Sequence, residues 1–361
     1  MLPGAYDSPE SREAFARLSL ELAVSPAAPV TLATGVSVSG VMLAYLKFAV
    51  GYYGQTKELG SLKDALRVVQ GLYGPTSAAD FGPRALAAVR ESFVRRGWSR
   101  QYTNRQTNRI VRAFRWSSGE ELIPIVLHTA LKALAPLRKG KTTAPEAPPR
   151  LPADPVAVDA ALPHLPPHTR SLVELLRLTG MRPAEACRMT LGEIDGSGDV
   201  WIYAPAKHKM AHKGKRRPVA LGAAAQAVIV AHLENKAVGS DQPLFSPRRQ
   251  RDERFARMRA KRKTRVQPRQ VSRKKGKPKR MPGEWFTAAA VCRAVAKACK
   301  KAGVASWSPY QLRHLKGAEL REKFSLEHVR AALGHSHASM SAHYAAGADA
   351  VLAAEVARKA G

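Results

Sequence analysis

The chain has 361 residues, enough for about two domains, and its 45% apolar content allows a buried core. Lysine and arginine number 59 against 28 acidic residues, giving a net charge of +31 and a pI near 10.6, a field that concentrates polyanions, of which nucleic acid is the commonest. No apolar run approaches the ~20 residues that span a bilayer, and residues 1–11 lack the basic-then-apolar order of a secretory signal, so no membrane partner and a cytoplasmic location are expected.

Residues 1–35 read as an irregular segment, because Pro26 and Pro29 oppose a continuous helix. Residues 36–138 carry helical periodicity. Val38, Met42, Tyr45 and Leu46 form one apolar stripe, and Leu62, Ala65, Leu66 and Val69 a second. Pro83 opens a helix through Leu86, Val89 and Phe93, and further helices are predicted at 102–116 and 123–134. In the first of these, Arg105, Arg109 and Arg112 recur at i, i+4 and i+7, flanked by Asn104, Gln106 and Asn108. That face is either a surface for phosphates and base edges or a solvated one, and nucleic-acid contact is the expectation.

Residues 139–155, rich in Lys, Thr and Pro, read as an extended linker to a second domain at 156–361. There Leu172, Leu175, Leu176 and Leu178 mark a helix stopped by Gly180. Residues 200–203 and 217–221 look like two strands joined by a basic turn, and helices are predicted at 223–234, 288–301, 309–323 and 326–333. Between them, 248–280 holds 17 Lys or Arg and two acids; it is expected to lack a packed core and is either a basic arm on DNA, the favoured reading, or a charged insertion. Cys187, Cys292 and Cys299 show no CxxC spacing and are expected to be buried as small apolar side chains. The fold class is mainly α, two helical domains with a small β-hairpin or sheet in the second.

Three motifs in that second domain suit phosphodiester chemistry without a metal, which needs cations on the non-bridging oxygens, an in-line nucleophile and an acid for the departing oxygen. Thr179-Gly180-Met181-Arg182-Pro183-Ala184-Glu185 holds Arg182 at a helix junction, with Glu185 placed to hold the arginine or the helix start. Ser308-Pro309-Tyr310-Gln311-Leu312-Arg313 puts Tyr310 and Arg313 on the first turns of a helix, with Gly317 beyond them as either a point of close approach, DNA backbone being one candidate, or a tolerated interior glycine. Leu333-Gly334-His335 is followed nine residues later by Tyr344. Its histidines at 335, 337 and 343 lack compact metal-ligand spacing, and His208 and His212 lack the glutamate of a metal-binding helix, so no metal or other cofactor is expected.

In order and spacing these motifs resemble the tyrosine recombinase (phage integrase) family, over essentially residues 36–361. The resemblance implies a core-binding DNA domain at 36–138 and a catalytic domain at 156–361. Arg182 and Arg313 would clamp the scissile phosphate, His335 and Tyr310 would supply hydrogen bonds, and Tyr344 would attack to leave a 3′-phosphotyrosyl link. The general-acid lysine would fall on the β-hairpin. Lys209 is the first choice over Lys207 and Lys213, which otherwise line the DNA. Tyr310 departs from the family's usual histidine; a phenol still donates a hydrogen bond but carries no charge, which reads as tuning rather than inactivation. The basic insertion is a second departure. The implied partners are double-stranded DNA with specific recombination sites and a synaptic homotetramer, with Val351, Leu352 and Val356 as a docking stripe or as packing on their own domain. A type IB topoisomerase-like activity, a non-catalytic DNA-binding relative and a basic RNA-associated protein are the alternatives, the last leaving the motif spacing unexplained.

Overall fold

The computed structural model describes residues 4–12, 15, 19, 35–54, 56–206, 214, 217–234, 237–267 and 282–334. Lys207, Lys209, Lys213, His335, Tyr344 and the stripe at Val351, Leu352 and Val356 lie outside the described residues, as does most of the segment expected to be irregular at 1–35. The chain divides into two compact units, Met1–Pro149 and Arg150–Gly361. No helix among the described residues is long and apolar enough to cross a membrane.

The first unit is helical. Its elements are α1 (Val38–Tyr53), α2 (Lys57–Tyr73), α3 (Pro83–Arg95), α4 (Arg100–Gly119) and α5 (Ile125–Lys132). Each covers a stripe predicted from periodicity, and the stripes meet in one core containing Tyr45, Leu62, Leu86, Phe93, Ile110 and Phe114. Ser37 caps α1 by accepting the Gly40 N–H at 3.1 Å. Pro83 opens α3, where its missing N–H removes no helical bond. Beyond α5 the chain is strapped back onto α4. Asn104 donates to the Leu137 carbonyl at 3.0 Å and accepts from the Leu137 N–H at 2.9 Å, while Arg100 pairs with Glu146. The first part of the 139–155 stretch is therefore anchored, and it runs through turns and bends at 139–144.

The second unit opens with α6 (Pro155–Ala161) and α7 (Pro167–Thr179), followed by the one-turn α8 (Pro183–Ala186). Strands β1 (Ile194–Asp195), β2 (Trp201–Tyr203) and β3 (Val219–Leu221) form an antiparallel sheet in that order, with Trp201 opposite Leu221 and Tyr203 opposite Val219. Tyr203, Val219 and Leu221 are buried while Ala220 is exposed, the alternation of a sheet with one covered face. Four helices follow in register with the sequence stripes, α9 (Ala223–Leu233), then α11 (Ala288–Ala302), α12 (Pro309–Lys323) and α13 (Leu326–Leu333), after the intervening α10 (Pro247–Ala260). Leu172, Leu176, Ile229, Val295 and Leu312 share one core. Cys187 and Cys299 are buried and Cys292 is half-buried.

The basic segment begins with a helix that apolar periodicity did not mark, α10, capped where Ser246 accepts the Arg249 N–H at 3.4 Å. None of its residues is buried; polar contacts hold it instead, Gln250 accepting from the Thr169 N–H at 3.0 Å and Glu253 meeting His168 at 2.9 Å. Gly317 is buried in α12.

An ion pair ties α2 to α4. Glu58 accepts from Arg109 at 3.0 and 2.6 Å and from Arg112 at 2.6 Å. Arg109, aided by Arg112, holds the Glu58 carboxyl at about 2, against an ordinary value of 4.5. A depressed carboxyl contributes stability that is present above its unfolded pKa and is lost as pH falls through the folded one. Between pH 4.5 and 2, thermal melting of the parent chain should therefore fall more steeply with acid than that of Glu58→Gln. Parallel melting curves across that window would show that the pair does not contribute.

Candidate active site

The site grows from two helix ends. Helix α7 stops at Gly180 in the left-handed region, φ +63°, and α13 stops at Gly334, φ +61°. Both positions need glycine for that backbone, and both are crowded. A Cβ on Gly180 would lie 2.7 Å from Leu333 Cδ2, so the two ends abut. Arg313, from the second turn of α12, sits between them with 1% exposure. Its Nη1 donates to the Gly180 carbonyl at 2.9 Å and its Nη2 to the Leu333 carbonyl at 2.7 Å. Helix C-termini present partial negative charge, so a guanidinium is the fitting bridge.

Arg182 stands just before α8, whose start is fixed by Pro183. Glu185 accepts from the Arg182 backbone N–H at 2.9 Å through Oε2 and from Arg182 Nη1 at 2.8 Å through Oε1. Arg182 keeps 24% side-chain exposure whereas Glu185 has 4%. Burial pushes the Glu185 carboxyl upward, but Arg217 and then Arg182 outweigh it, and the net shift is down. Tyr203, on β2, donates its buried hydroxyl to the Glu185 carbonyl at 3.0 Å, which ties the sheet to α8. Burial chiefly raises its pKa, so it remains a neutral donor.

The structure thus brings Arg182, Glu185 and Arg313 together beside Gly334, the residue before His335. Tyr310 lies one turn before Arg313 and is 37% exposed. Its ring is 5.3 Å from that of His314, with the Arg150 guanidinium 5.7 Å from its centroid. The N-terminus of α12 is held by Gln311, whose Oε1 accepts the Ser308 N–H at 2.9 Å.

Arg217, from the foot of β3, also reaches this cluster. Its place in the chain is the end of the basic turn, yet it has 6% side-chain exposure and approaches Glu185 Oε1 to 3.6 Å. Its parity with the buried Val219 and Leu221 is the signal in the sequence that could have found it. Three guanidinium groups against one carboxylate leave two net positive charges, suited to an anion in a site with little competing water.

In the first unit the arginine stripe is not three free cations. Arg105 is exposed, but Arg109 and Arg112 share Glu58, and Arg112 also donates to Tyr45 Oη at 3.2 Å. Beside them a cavity of about 660 Å³ is lined by Asn108, Arg112, Arg115, His128 and Lys132 among others.

The chain matches the model of the phage integrase family over residues 157–350. No curated protein matches it. It is similar in fold to the crystal structure of a lambda integrase dimer bound to a COC′ core site, at 17% identity and a TM-score of 0.60, covering 93% of this chain and 85% of that one. Comparable likeness holds for the Tn1549 transposon integrase in complex with transposon right end DNA, at 14% identity, a TM-score of 0.61 and coverage of 90% and 100%. The XerH site-specific recombinase bound to palindromic difH substrate gives 14%, 0.57, 88% and 95%. With that match spanning more than half of its length, the chain belongs to the phage integrase family of tyrosine recombinases.

Proposed function

We propose that this recombinase binds specific sites in double-stranded DNA and cuts and rejoins them through a covalent link at Tyr344. The observation that carries the reading is the meeting of Arg182 and Arg313 at the end of α13, from which the chain continues into His335 and on to Tyr344. The Tyr344 oxygen attacks the scissile phosphorus as the phenol proton leaves, aided by the surrounding cations, because an unperturbed phenol titrates near 10. The bond to the 5′ oxygen breaks, and Lys209, or failing it Lys207 or Lys213, protonates that oxygen. The phosphotyrosyl ester retains the phosphodiester's energy, so attack by a 5′ hydroxyl from a second strand reverses the step without ATP. A synaptic homotetramer on two DNA sites follows from exchanging strands in pairs. Residues 36–138 act as the core-binding part and 156–361 as the catalytic part, at the nucleoid in the cytoplasm.

Replacing Tyr344 by Phe removes one oxygen and hardly changes volume, so folding and DNA affinity should survive while cleavage is lost. The check is covalent trapping of the parent on a randomised duplex pool, followed by peptide mapping. An adduct on another residue, or cleavage by Tyr344→Phe, would remove Tyr344 from the reaction.

Tyr310→His should cleave at least as well as the parent, because imidazole offers the same hydrogen bond and can add charge. Abolished cleavage by a folded Tyr310→His variant would show that Tyr310 does other work.

Helix α10 carries Arg254, Arg257 and Arg259, all exposed, and we assign these side chains to phosphate contact without base reading. Changing all three to Gln should flatten log affinity against log salt by about 0.9 for each phosphate no longer neutralised, leaving the preferred sequence unchanged. An unaltered slope would place α10 off the DNA.

A further inference from the structure

Arg217 is an unusual side chain to bury. Among the described residues none of its three guanidinium nitrogens makes a hydrogen bond. Its Nε lies 3.6 Å from Glu185 Oε1, an ion pair too long for a hydrogen bond. On its other side is Gly334, where an added Cβ would stand 1.6 Å from Nη1 and 2.4 Å from Cζ, so the guanidinium occupies the space any side chain at 334 would need. Burial lowers its pKa to about 10, against the pull of Glu185, with Arg313 and Arg182 adding repulsion. The group therefore stays charged at neutral pH, beside two like charges.

The two neighbours of Arg217 are the places where the family's motifs have to be held. Glu185 is the anchor of Arg182, through both carboxylate oxygens. Gly334 precedes His335 and closes α13, whose terminal carbonyl holds Arg313. The remaining chain link is the hairpin itself, since Arg217 follows the connection in which Lys207, Lys209 and Lys213 lie.

We propose that Arg217 is a positioning residue for strand cleavage, a cationic wedge between Glu185 and Gly334 that fixes Arg182 and the entry to the His335 segment relative to each other and to the hairpin. It acts through those two neighbours rather than on the phosphate. Lysine does not replace it, because a point charge on a flexible stem cannot pack against Gly334 and face Glu185 together. The proposal rests on the recombinase reading above.

The experiment compares the full chain with Arg217→Lys and Arg217→Met. The probe is the duplex trapped by the parent, nicked beside the cleaved phosphate, with either a normal or an uncharged methylphosphonate linkage there. Melting temperature, DNA affinity and the single-turnover rate of covalent-complex formation are measured. Both variants should stay folded and bind DNA within about threefold of the parent, while cleavage slows by about tenfold to a hundredfold, the scale of a reacting group displaced by about an ångström. The ratio of variant to parent rate should stay well below one on both linkages, since neutralising the phosphate relieves a displaced Arg182 but does not realign Tyr344, which the chain reaches through Gly334 and His335.

Full recovery of that ratio to one on the methylphosphonate linkage would overturn the proposal, because Arg217 would then serve the phosphate charge alone and leave the His335 segment where it is. Full cleavage by Arg217→Lys would overturn it too, because charge alone would then suffice, and so would slowing that only mirrors a lost folded fraction. Should Arg217→Met not fold, Arg217→Lys decides the matter. Failure of the parent itself to form a covalent complex would instead strike the recombinase reading.

Discussion

The second unit is organised around one carboxylate. Glu185 has almost no exposure yet stays ionised, because Arg217 and Arg182 face it and the Arg182 N–H binds it. Breaking such a pair by neutralising one partner costs about 3–5 kcal/mol, since the charge left behind has no water to turn to. Here the penalty would fall on guanidinium groups whose positions matter for chemistry. The sheet is drawn in as well, through the Tyr203 hydroxyl on the Glu185 carbonyl. An apolar cluster of the same volume would pack as well and would hold no anion.

Arg313 complements this arrangement with a different solution to the same difficulty. It too is buried, and carbonyls at two helix ends supply the acceptors for its two Nη atoms. Backbone acceptors cannot be protonated away, and their direction is set by whole helices rather than by rotamers. The left-handed glycines at 180 and 334 expose those carbonyls by ending each helix abruptly. A guanidinium held in this manner is pre-aligned, which is what the proposed phosphate clamp requires.

Much of this was legible in the sequence, and the failures have physical reasons. The long helices α1, α4, α7 and α12 follow apolar periodicity or a Ser-Pro or Gly boundary, and Arg182 and Arg313 are marked by their neighbours. The one-turn α8 and the two-residue β1 are shorter than any period. Helix α10 was missed because Gln250 and Glu253 hold it in place of an apolar stripe. Glu58 lies 51 and 54 residues from its two arginines, so no local spacing could reveal that they are shared. Arg217 was hidden by its surroundings in sequence, a basic turn in which one inward-facing arginine looks like the rest.

The two hydrogen bonds of Arg313 also say something about the order in which the unit is made. One reaches back 133 residues to Gly180 and the other forward 20 residues to Leu333. Contacts of such separation form only after intervening helices have closed their loops, and the forward acceptor does not exist until α13 has been synthesised. A nascent chain can therefore build the α7–α9 portion of its core well before it can seat this guanidinium. Seating of this buried guanidinium is thus among the last events in the folding of the unit.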